Sequence, residues 1–360
     1  MKIVILGLSI TSSWGNGHAT TFRALCRELH RRGHQITFVE KDVEWYRSNR
    51  DLPEPPYVRL WLYQDWQHDG IGTVRDAIRD AEAIVVGSYF PDAIAATALL
   101  QQEAKAPVLF YDIDTPITIA ALRLHGQCEY LRAEDVPFYA AYLSFTGGPT
   151  LAEIEGRFGS PLPVPFYCSV DPEAYHRTPV QRDFACALSY LGTYAADRQP
   201  KLMELLNAPA AALPHDRFLV AGPMYPAGIP WSANVITHPH LPPSDHPALY
   251  SSSRWVLNLT RADMVAAGYS PSVRLFEASA CGAPILSDAW PGMEEFFTPG
   301  KEILIASTAQ EVVSTLRDMP EGEASRIGEA ARERTLAKHT SAKRAEEFEQ
   351  VMHRVLAHSH

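Results

Sequence analysis

Residues 269–288 have the sequence YSPSVRLFEASACGAPILSD, which predicts a polar loop, a short helix carrying one acid, and a buried strand. A helix N-terminus offers unpaired N–H groups and partial positive charge, so the loop near Ser272 can hold a diphosphate without a metal. Glu277 lies about one and a half turns further along, where its carboxylate can accept hydrogen bonds from a ribose diol. The alternative is a helix that only packs on a strand, with Glu277 facing water. Gly282 followed by Pro284 favours the first interpretation, because a tight return to the strand fixes the direction of the helix end.

The composition bounds the class of protein. A chain of 360 residues suits two domains of ordinary size, and its formal net charge of -10 argues against nonspecific nucleic-acid binding. The five cysteines are widely spaced and lack a CxxC pair, so we expect reduced thiols in a cytoplasmic protein. The first apolar run, residues 2–7, is too short for a signal peptide, and no run approaches the ~20 apolar residues that span a bilayer. We therefore expect no transmembrane segment, and either a monomer or a homodimer.

The first half of the chain alternates short apolar runs with amphipathic helical patterns, which predicts a doubly wound parallel sheet. The predicted strands are residues 3–6, 35–40, 58–62, 83–86, 108–111 and 142–145. The predicted helices are residues 18–32, 71–79, 92–103, 117–124 and 150–158.

The pattern restarts after a proline-rich stretch that runs from Pro161 to Pro172. Its predicted strands are residues 187–192, 218–221, 235–236, 255–259, 284–286 and 303–305, and its predicted helices are residues 199–206, 247–251 and 273–281. We expect two Rossmann-like domains, residues 1–170 and 171–340, followed by a C-terminal helix over residues 341–360. That helix carries an apolar stripe that we expect to cross back onto the first domain, formed by Ala345, Phe348, Met352 and Val355.

Three motifs stand out in the two Rossmann-like halves: the loop Trp14-Gly-Asn-Gly-His18, the segment Leu191-Gly-Thr-Tyr-Ala-Ala-Asp-Arg198 and the helix Arg274-Leu-Phe-Glu277. Together they resemble glycosyltransferases of the GT-B fold, most closely the CgeB-type glycosyltransferases, spore maturation protein CgeB and its bacterial relatives. The resemblance extends through Tyr111-Asp-Ile-Asp-Thr-Pro116, Ser144-Phe-Thr-Gly-Gly148 and Pro299-Gly-Lys-Glu302-Ile. It implies two doubly wound domains facing a cleft. The C-terminal domain would bind a nucleoside-diphosphate sugar, with a UDP-sugar as the preferred donor. The N-terminal domain would bind an unknown acceptor, which is a glycan, a protein or a small molecule.

The resemblance also assigns the donor-binding residues. Arg198 and Lys201 would stabilise the departing diphosphate, although charges on a helix surface are the alternative. His240 and Leu241 would receive the base. The full set of expected donor contacts is Gly15, Gly17, Gly192, Thr193, Tyr194, Arg198, Lys201, His240, Leu241, Tyr269, Ser270, Ser272, Val273, Arg274 and Glu277.

Acid–base chemistry has candidates in both halves. His18 at a helix start can contact the acceptor or act as a base, and a capping or solvent-facing histidine is the alternative. Asp112 and Asp114 follow a buried strand, so we expect them to recognise the acceptor or orient His18. A metal-binding pair and a helix cap are the other interpretations of these acids. The dinucleotide motif GxGxxG is not satisfied, so Glu40 is weak evidence for NAD.

The stereochemical outcome is open on the sequence. Retaining families carry two glutamates eight positions apart, and Tyr269 stands where the first would be. Asp263 can supply a carboxylate from a longer loop, so we list His18, Asp114, Asp263 and Arg198 as catalytic candidates.

We read the chain as a metal-independent glycosyltransferase that needs no cofactor besides its nucleotide-sugar substrate, with retention favoured slightly through Glu277. A nucleotide-sugar 2-epimerase of the same fold and a noncatalytic sugar-nucleotide-binding protein are the alternatives.

Overall fold

Two separate parallel sheets organise the chain in the computed structural model, which describes residues 1–15 and 17–358. One unit comprises Met1–Cys168 together with the segment from Ser341 onward, and the other comprises Ser169–Thr340. This division lies within two residues of the boundaries expected at 170 and 340. The predicted α/β class with two doubly wound, Rossmann-like sheets is confirmed.

The first unit contains a seven-stranded sheet in the order β3-β2-β1-β4-β5-β6-β7, with every neighbouring pair parallel. The order reverses between β1 and β4, which is where doubly wound sheets open a ligand crevice. Its strands are β1 (Lys2–Leu6), β2 (Gln35–Lys41), β3 (Arg59–Tyr63), β4 (Ala83–Gly87), β5 (Val108–Asp112), β6 (Ala141–Ser144) and β7 (Pro163–Pro165). Its helices are α1 (Gly17–Arg31), α2 (Glu44–Arg47), α3 (Ile71–Ile78), α4 (Ala93–Glu103), α5 (Thr115–His125) and α6 (Pro149–Gly156), with α14 (Ser341–His358) at the C-terminus.

Strand β7 lies inside the proline-rich stretch and was not predicted. Leu143 pairs with Val164, and the flanking hydrogen bonds run from Tyr142 N–H to the Leu162 carbonyl at 2.9 Å and from Phe166 N–H to Ser144 at 2.6 Å. Proline cannot donate to a ladder, but an edge strand needs donors on one side only. The two prolines are therefore tolerated at this edge.

The C-terminal helix α14 packs against α1 within the first unit. Ala345, Phe348, Met352 and Val355 are all buried in the same apolar cluster as the core face of α1, so the predicted stripe is confirmed. Burying each of the larger side chains stabilises the fold by about 1.5–3 kcal/mol.

The second unit contains a six-stranded parallel sheet in the order β10-β9-β8-β11-β12-β13. Its strands are β8 (Cys186–Leu191), β9 (Phe218–Ala221), β10 (Val235–His238), β11 (Ser253–Asn258), β12 (Ile285–Ser287) and β13 (Leu304–Ile305). Its helices are α7 (Gln199–Leu202), α8 (Ala208–Ala212), α9 (His246–Ser252), α10 (Ala262–Ala267), α11 (Val273–Ala280), α12 (Ala309–Asp318) and α13 (Glu321–Lys338).

The helix predicted over residues 199–206 is longer in the structure. Helix α7 continues through a wider π turn, Met203–Asn207, into α8. Pro209 near the start of α8 has no N–H to offer to the preceding turn, which fits a local change of hydrogen-bond spacing.

Candidate functional site

A tight glycine turn follows strand β8 in the second unit. Gly192 donates its N–H to the Ala221 carbonyl at 2.9 Å. Gly222 has a φ of +143°, and a Cβ there would lie 2.1 Å from the Gly192 carbonyl oxygen. A Cβ on Gly192 would lie 2.7 Å from Nη2 of Arg274. Neither position has room for a side chain, so this carboxyl end of the sheet exposes closely spaced backbone where such sheets bind ligands.

Two guanidinium groups lie beside this turn. Arg198 donates from Nη2 to the Thr193 carbonyl oxygen at 2.7 Å. Burial lowers the pKa of Arg198 below its usual value, and the positive charge of Arg274 lowers that pKa further. Two partly desolvated cations close to each other favour an anion that neutralises both. The turn is therefore suited to a diphosphate.

Arg274 fixes helix α11 to the sheet. Its Nε donates to the Leu191 carbonyl oxygen, and its Nη1 donates to Oδ1 of Asn258 at 2.9 Å. The guanidinium carbon also lies 4.7 Å from the ring centroid of Tyr190. These contacts set the position of α11 relative to the ends of β8 and β11, while the Nη2 group remains beside Gly192.

Lys201 has a carboxylate partner in the structure. Its Nζ lies 2.7 Å from Oδ2 of Asp288, which is buried at the end of β12. Asp288 also accepts hydrogen bonds from the backbone N–H and the hydroxyl of Thr260. The charge of Lys201 is thus already matched by the protein, which distinguishes it from Arg198.

The loop before α11 is held in an unusual backbone conformation. Gly268 and Tyr269 both have positive φ values, +66° and +49°, and the N–H of Tyr269 donates to Pro291 at 2.7 Å. A Cβ on Gly292 would lie 2.4 Å from the Tyr269 ring, so the ring packs directly on that glycine. Left-handed conformations of residues other than glycine cost free energy and concentrate at functional sites.

The start of α11 carries no capping side chain. Ser272 occupies the N-cap position with extended backbone, and its hydroxyl makes no capping hydrogen bond. Val273 is the first residue of the helix, and the hydroxyl of buried Ser270 donates to Sδ of Met264 at 3.2 Å. The helix start can therefore use its N–H groups for a bound anion.

Glu277 is buried on α11 instead of facing water. Its Oε2 accepts a hydrogen bond from the Tyr250 hydroxyl at 3.2 Å. The charge of Glu277 also raises the pKa of Tyr250, for which burial is the larger cause. The interpretation of a helix with its acid in solvent is therefore wrong for this residue.

The segment expected to receive the base follows β10. His240 is exposed, whereas Leu241 is buried and its carbonyl oxygen lies 3.1 Å from Nε2 of His246. The HxH pair of His238 and His240 belongs to no cluster of three or more metal-binding side chains among the described residues.

Asp263 lies on a short helix and not on the long loop expected from the sequence. It is exposed in the first turn of α10, whose first N–H, from Ala262, donates to Asp197 at 2.8 Å. The predicted loop conformation is wrong, because these residues form one and a half helical turns.

In the first unit, Glu40 anchors the loop that joins β1 to α1. Its buried carboxylate accepts hydrogen bonds from the hydroxyls of Ser9 and Thr11 and from the N–H groups of Ile10 and Thr11. All four donors come from the chain itself. Glu40 is therefore occupied in shaping this loop, which supports the interpretation that it does not serve a dinucleotide.

This loop leads to the predicted glycines and to His18. Gly15 has a φ of +60°, Gly17 is the first residue of α1, and Asn16 between them lies outside the described residues. The ring of His18 meets that of Tyr89 edge-on, with centroids 5.2 Å apart. Burial lowers the pKa of His18 to about 4, so its imidazole is neutral near pH 7 and can accept a proton.

Asp114 contacts the same tyrosine as His18. Its Oδ2 accepts a hydrogen bond from the Tyr89 hydroxyl at 3.0 Å. Tyr89 has a φ of +63°, a strained conformation that aims the ring between His18 and Asp114. Asp114 occupies the N-cap position of α5, but its side chain makes no capping hydrogen bond, so the helix-cap interpretation is wrong for its carboxylate.

Asp112 is fully buried and surrounded by donors. It accepts hydrogen bonds from the Tyr142 hydroxyl, the Thr118 hydroxyl and the N–H of Asp114. Burial raises the pKa of Asp112 to about 7, against the opposing effect of these hydrogen bonds. Its oxygens are thus engaged by the protein, which disfavours a metal held jointly by Asp112 and Asp114.

The structure brings together some of the predicted residues and adds others. The guanidinium groups of Arg198 and Arg274 lie beside the turn formed by Gly192 and Thr193. The ring of Tyr194 lies 5.6 Å from that of Tyr225. The sequence did not indicate the side chains that surround the candidate residues. Tyr89, Thr118, Tyr142, Tyr175 and Tyr250 contact the candidate acids, His246 contacts Tyr175, and Asp288 pairs with Lys201. His246 and Tyr250 share one face of α9 at a spacing of four, which is the one local signal that could have indicated a polar cluster.

Within the described residues, no helix is long and apolar enough to cross a bilayer. All five cysteines are free thiols.

Comparison with known proteins identifies the type of domain and the fold. Residues 198–350 match the model of a family described as glycosyl transferase-like. No curated protein matches the sequence. The sucrose-phosphate synthase of Thermosynechococcus elongatus superposes with a TM-score of 0.72 at 12% identity, covering 99% of each chain.

Two further solved structures contain nucleotides. HepE of Anabaena in complex with UDP-glucose superposes with a TM-score of 0.70 at 12% identity, covering 98% of this chain and 99% of HepE. An alpha-glucosyltransferase in complex with UDP gives a TM-score of 0.70 at 13% identity, covering 98% and 99%. At such identities the likeness shows the fold, which is GT-B, and residues 198–350 are similar to the glycosyl transferase-like family.

Proposed function

We propose that the protein is a glycosyltransferase that moves a sugar from a nucleoside-diphosphate sugar to an acceptor, and that the preferred donor is a UDP-sugar. The observation that carries this proposal is the pair of guanidinium groups, Arg198 and Arg274, at the glycine turn after β8. The CgeB-type resemblance of the sequence and the UDP found in structures of the same fold support the choice of donor.

The donor would be bound by the second unit. Its diphosphate would meet the Gly192 turn, the guanidinium of Arg198 and the uncapped start of α11, and its ribose would meet Glu277. When the glycosidic bond breaks, the bonding electrons leave with the diphosphate, whose negative charge increases. Arg198 is placed to stabilise that charge, because its own partner in the free protein is a neutral carbonyl oxygen.

The acceptor would be bound by the first unit, beside His18, Tyr89 and Asp114. A neutral His18 can take the proton that the acceptor hydroxyl loses. Such a base supports inversion, whereas the match of Glu277 to the second glutamate of retaining families supports retention. We propose retention, and NMR of the anomeric proton of the product decides between the two outcomes.

Metal independence and a cytoplasmic setting complete the proposal. Arg198 and the helix start can match the diphosphate charge, so no divalent cation is needed for that purpose. Five free thiols are in keeping with a reducing compartment.

The test is turnover of labelled UDP-, GDP- and dTDP-sugars with and without an acceptor extract. A transferase consumes UDP-sugar faster when the extract is present and moves the label to a new product. Release of an epimer without extract would instead indicate the 2-epimerase, and binding without turnover would indicate a noncatalytic nucleotide-sugar protein.

A further inference from the structure

A polar network surrounds Glu277 inside the second unit. The Tyr250 hydroxyl donates to Oε2 of Glu277 at 3.2 Å. The Tyr175 hydroxyl lies 3.2 Å from Nδ1 of His246 and also faces Glu277. Burial is the largest cause that raises the pKa of Tyr175, followed by the charge of Glu277, and a hydrogen bond to that carboxylate contributes as well. Tyr175 therefore stands between an imidazole and a carboxylate.

The backbone fixes which nitrogen of His246 carries hydrogen. Nε2 lies 3.1 Å from the carbonyl oxygen of Leu241, and because a carbonyl oxygen only accepts, Nε2 must donate. In the neutral imidazole, Nδ1 is then an acceptor, and it takes the single hydroxyl proton of Tyr175. In the charged imidazole, Nδ1 is a donor to the Tyr175 oxygen, and the hydroxyl proton turns to Glu277.

We infer that His246 and Tyr175 are positioning residues that make the binding of the donor ribose depend on the protonation of His246. With His246 neutral, Nδ1 competes with Glu277 for the single Tyr175 proton, and Glu277 is then better able to accept a hydrogen bond from a ribose hydroxyl. With His246 charged, the Tyr175 hydroxyl donates to Glu277, and the nearby positive charge reduces the acceptor strength of the carboxylate. This inference rests on the proposed function, in which Glu277 binds the ribose.

The groups that face His246 set the pH range of the effect. Burial is the largest influence and lowers the pKa of His246 below its usual value, and the charge of His240 lowers it as well. The charges of Glu277 and Asp245 and the hydrogen bond to Leu241 oppose this. Because the folded pKa is lowered, His246 is neutral at pH 7 and takes up a proton only below the pH at which an ordinary imidazole does. Donor affinity should therefore fall as the pH decreases from about 8 to about 5.

The test measures binding of UDP-glucose by calorimetry at about pH 8 and about pH 5. UDP-glucose is used because each phosphate of its diphosphate is esterified, so both phosphates stay ionised and the charge of the ligand does not change over this range. For the wild type, we expect the dissociation constant to rise roughly threefold to tenfold at the lower pH, the size of one weakened hydrogen bond. In Tyr175→Phe, which has no hydroxyl proton to redirect, the ratio of the two constants should be clearly smaller than in the wild type, because only the charge of His246 then acts on Glu277.

Tyr250→Phe is the matched control. It also removes a phenol that bonds Glu277, but that phenol is not shared with His246, so its ratio should equal the wild-type ratio. Equal ratios in the wild type and Tyr175→Phe, with both folded by thermal unfolding, would overturn the inference and leave the proposed function standing. If the wild type bound neither UDP-glucose nor any of the UDP-, GDP- and dTDP-sugars of the turnover test, the proposed function would fall and this inference with it.

Discussion

Arg198→Ala should separate binding of the donor from stability of the fold. In the structure, Arg198 makes one hydrogen bond to the Thr193 carbonyl oxygen and lies close enough to Arg274 for their charges to repel. A side chain retained for stability would not be placed in this way. We therefore expect the substitution to damage nucleotide binding and catalysis while leaving the fold intact.

The expected magnitudes follow from these contacts. Loss of the hydrogen bond to Thr193 costs about 0.5–1.5 kcal/mol, and relief of the repulsion and of desolvation offsets part of this, so the free energy of unfolding should change by about 1 kcal/mol or less. A charged hydrogen bond to the diphosphate is worth about 1.5–3 kcal/mol, which corresponds to a roughly tenfold to hundredfold weaker affinity for UDP. If Arg198 also stabilises the leaving group, kcat should fall by about 10²–10³.

The assay combines urea unfolding, calorimetry with UDP, and steady-state kinetics with the donor found by screening. Arg217→Ala is the matched control in the same unit, because Arg217 also donates to backbone carbonyl oxygens, those of Arg182 and Asp183, at 3.0 and 2.9 Å. The control should leave affinity and kcat unchanged. Wild-type affinity in Arg198→Ala would refute the placement of the diphosphate, and a raised KM with wild-type kcat would refute the catalytic role alone.

Three further predictions concern the acids. Glu277→Gln keeps the shape of the side chain but removes its charge, so affinity for UDP in calorimetry should fall about tenfold or more, and an unchanged affinity would remove Glu277 from the site. EDTA should leave most activity intact. If EDTA instead abolished activity and Mn²⁺ restored it, and if Asp112→Asn and Asp114→Asn each lost donor binding, the donor would be bound by the first unit. Burial raises the pKa of Asp112 to about 7, so the folded protein keeps a proton that the unfolded chain has already released. The free energy of unfolding should therefore fall as the pH rises from about 5 to about 7, by up to about 1.4 kcal/mol per pH unit. Urea unfolding at the two pH values measures this difference, and Asp112→Asn should abolish it. An equal difference in the wild type and the variant would contradict the raised pKa.

Local sequence patterns predicted the local elements well. The loop, helix and strand over residues 269–288 correspond to the loop before α11, to α11 and to β12, because apolar spacing and the Gly282 return act within a few residues. Strand β7 escaped prediction, since its prolines oppose strand propensity and only its edge position makes them tolerable.

The partners of the candidate acids could not be predicted in the same way. Lys201 meets Asp288 across 87 residues of sequence, and Tyr175 meets His246 across 71. Such contacts depend on which strands become neighbours and on where each loop ends, and no single-sequence pattern records that. The sequence thus proposed Glu277, Arg198 and His18 as site residues, and the structure was needed to find the hydroxyls and the imidazole that lie near the candidate acids.

The most direct measurement is a crystal structure of the protein with UDP bound. We predict that the phosphates lie within hydrogen-bond distance of Arg198 and of the backbone at the start of α11, and that the ribose diol donates to Glu277. A nucleotide bound instead to the first unit, at the loop before His18 or at Asp112 and Asp114, would contradict the assignment of the donor site.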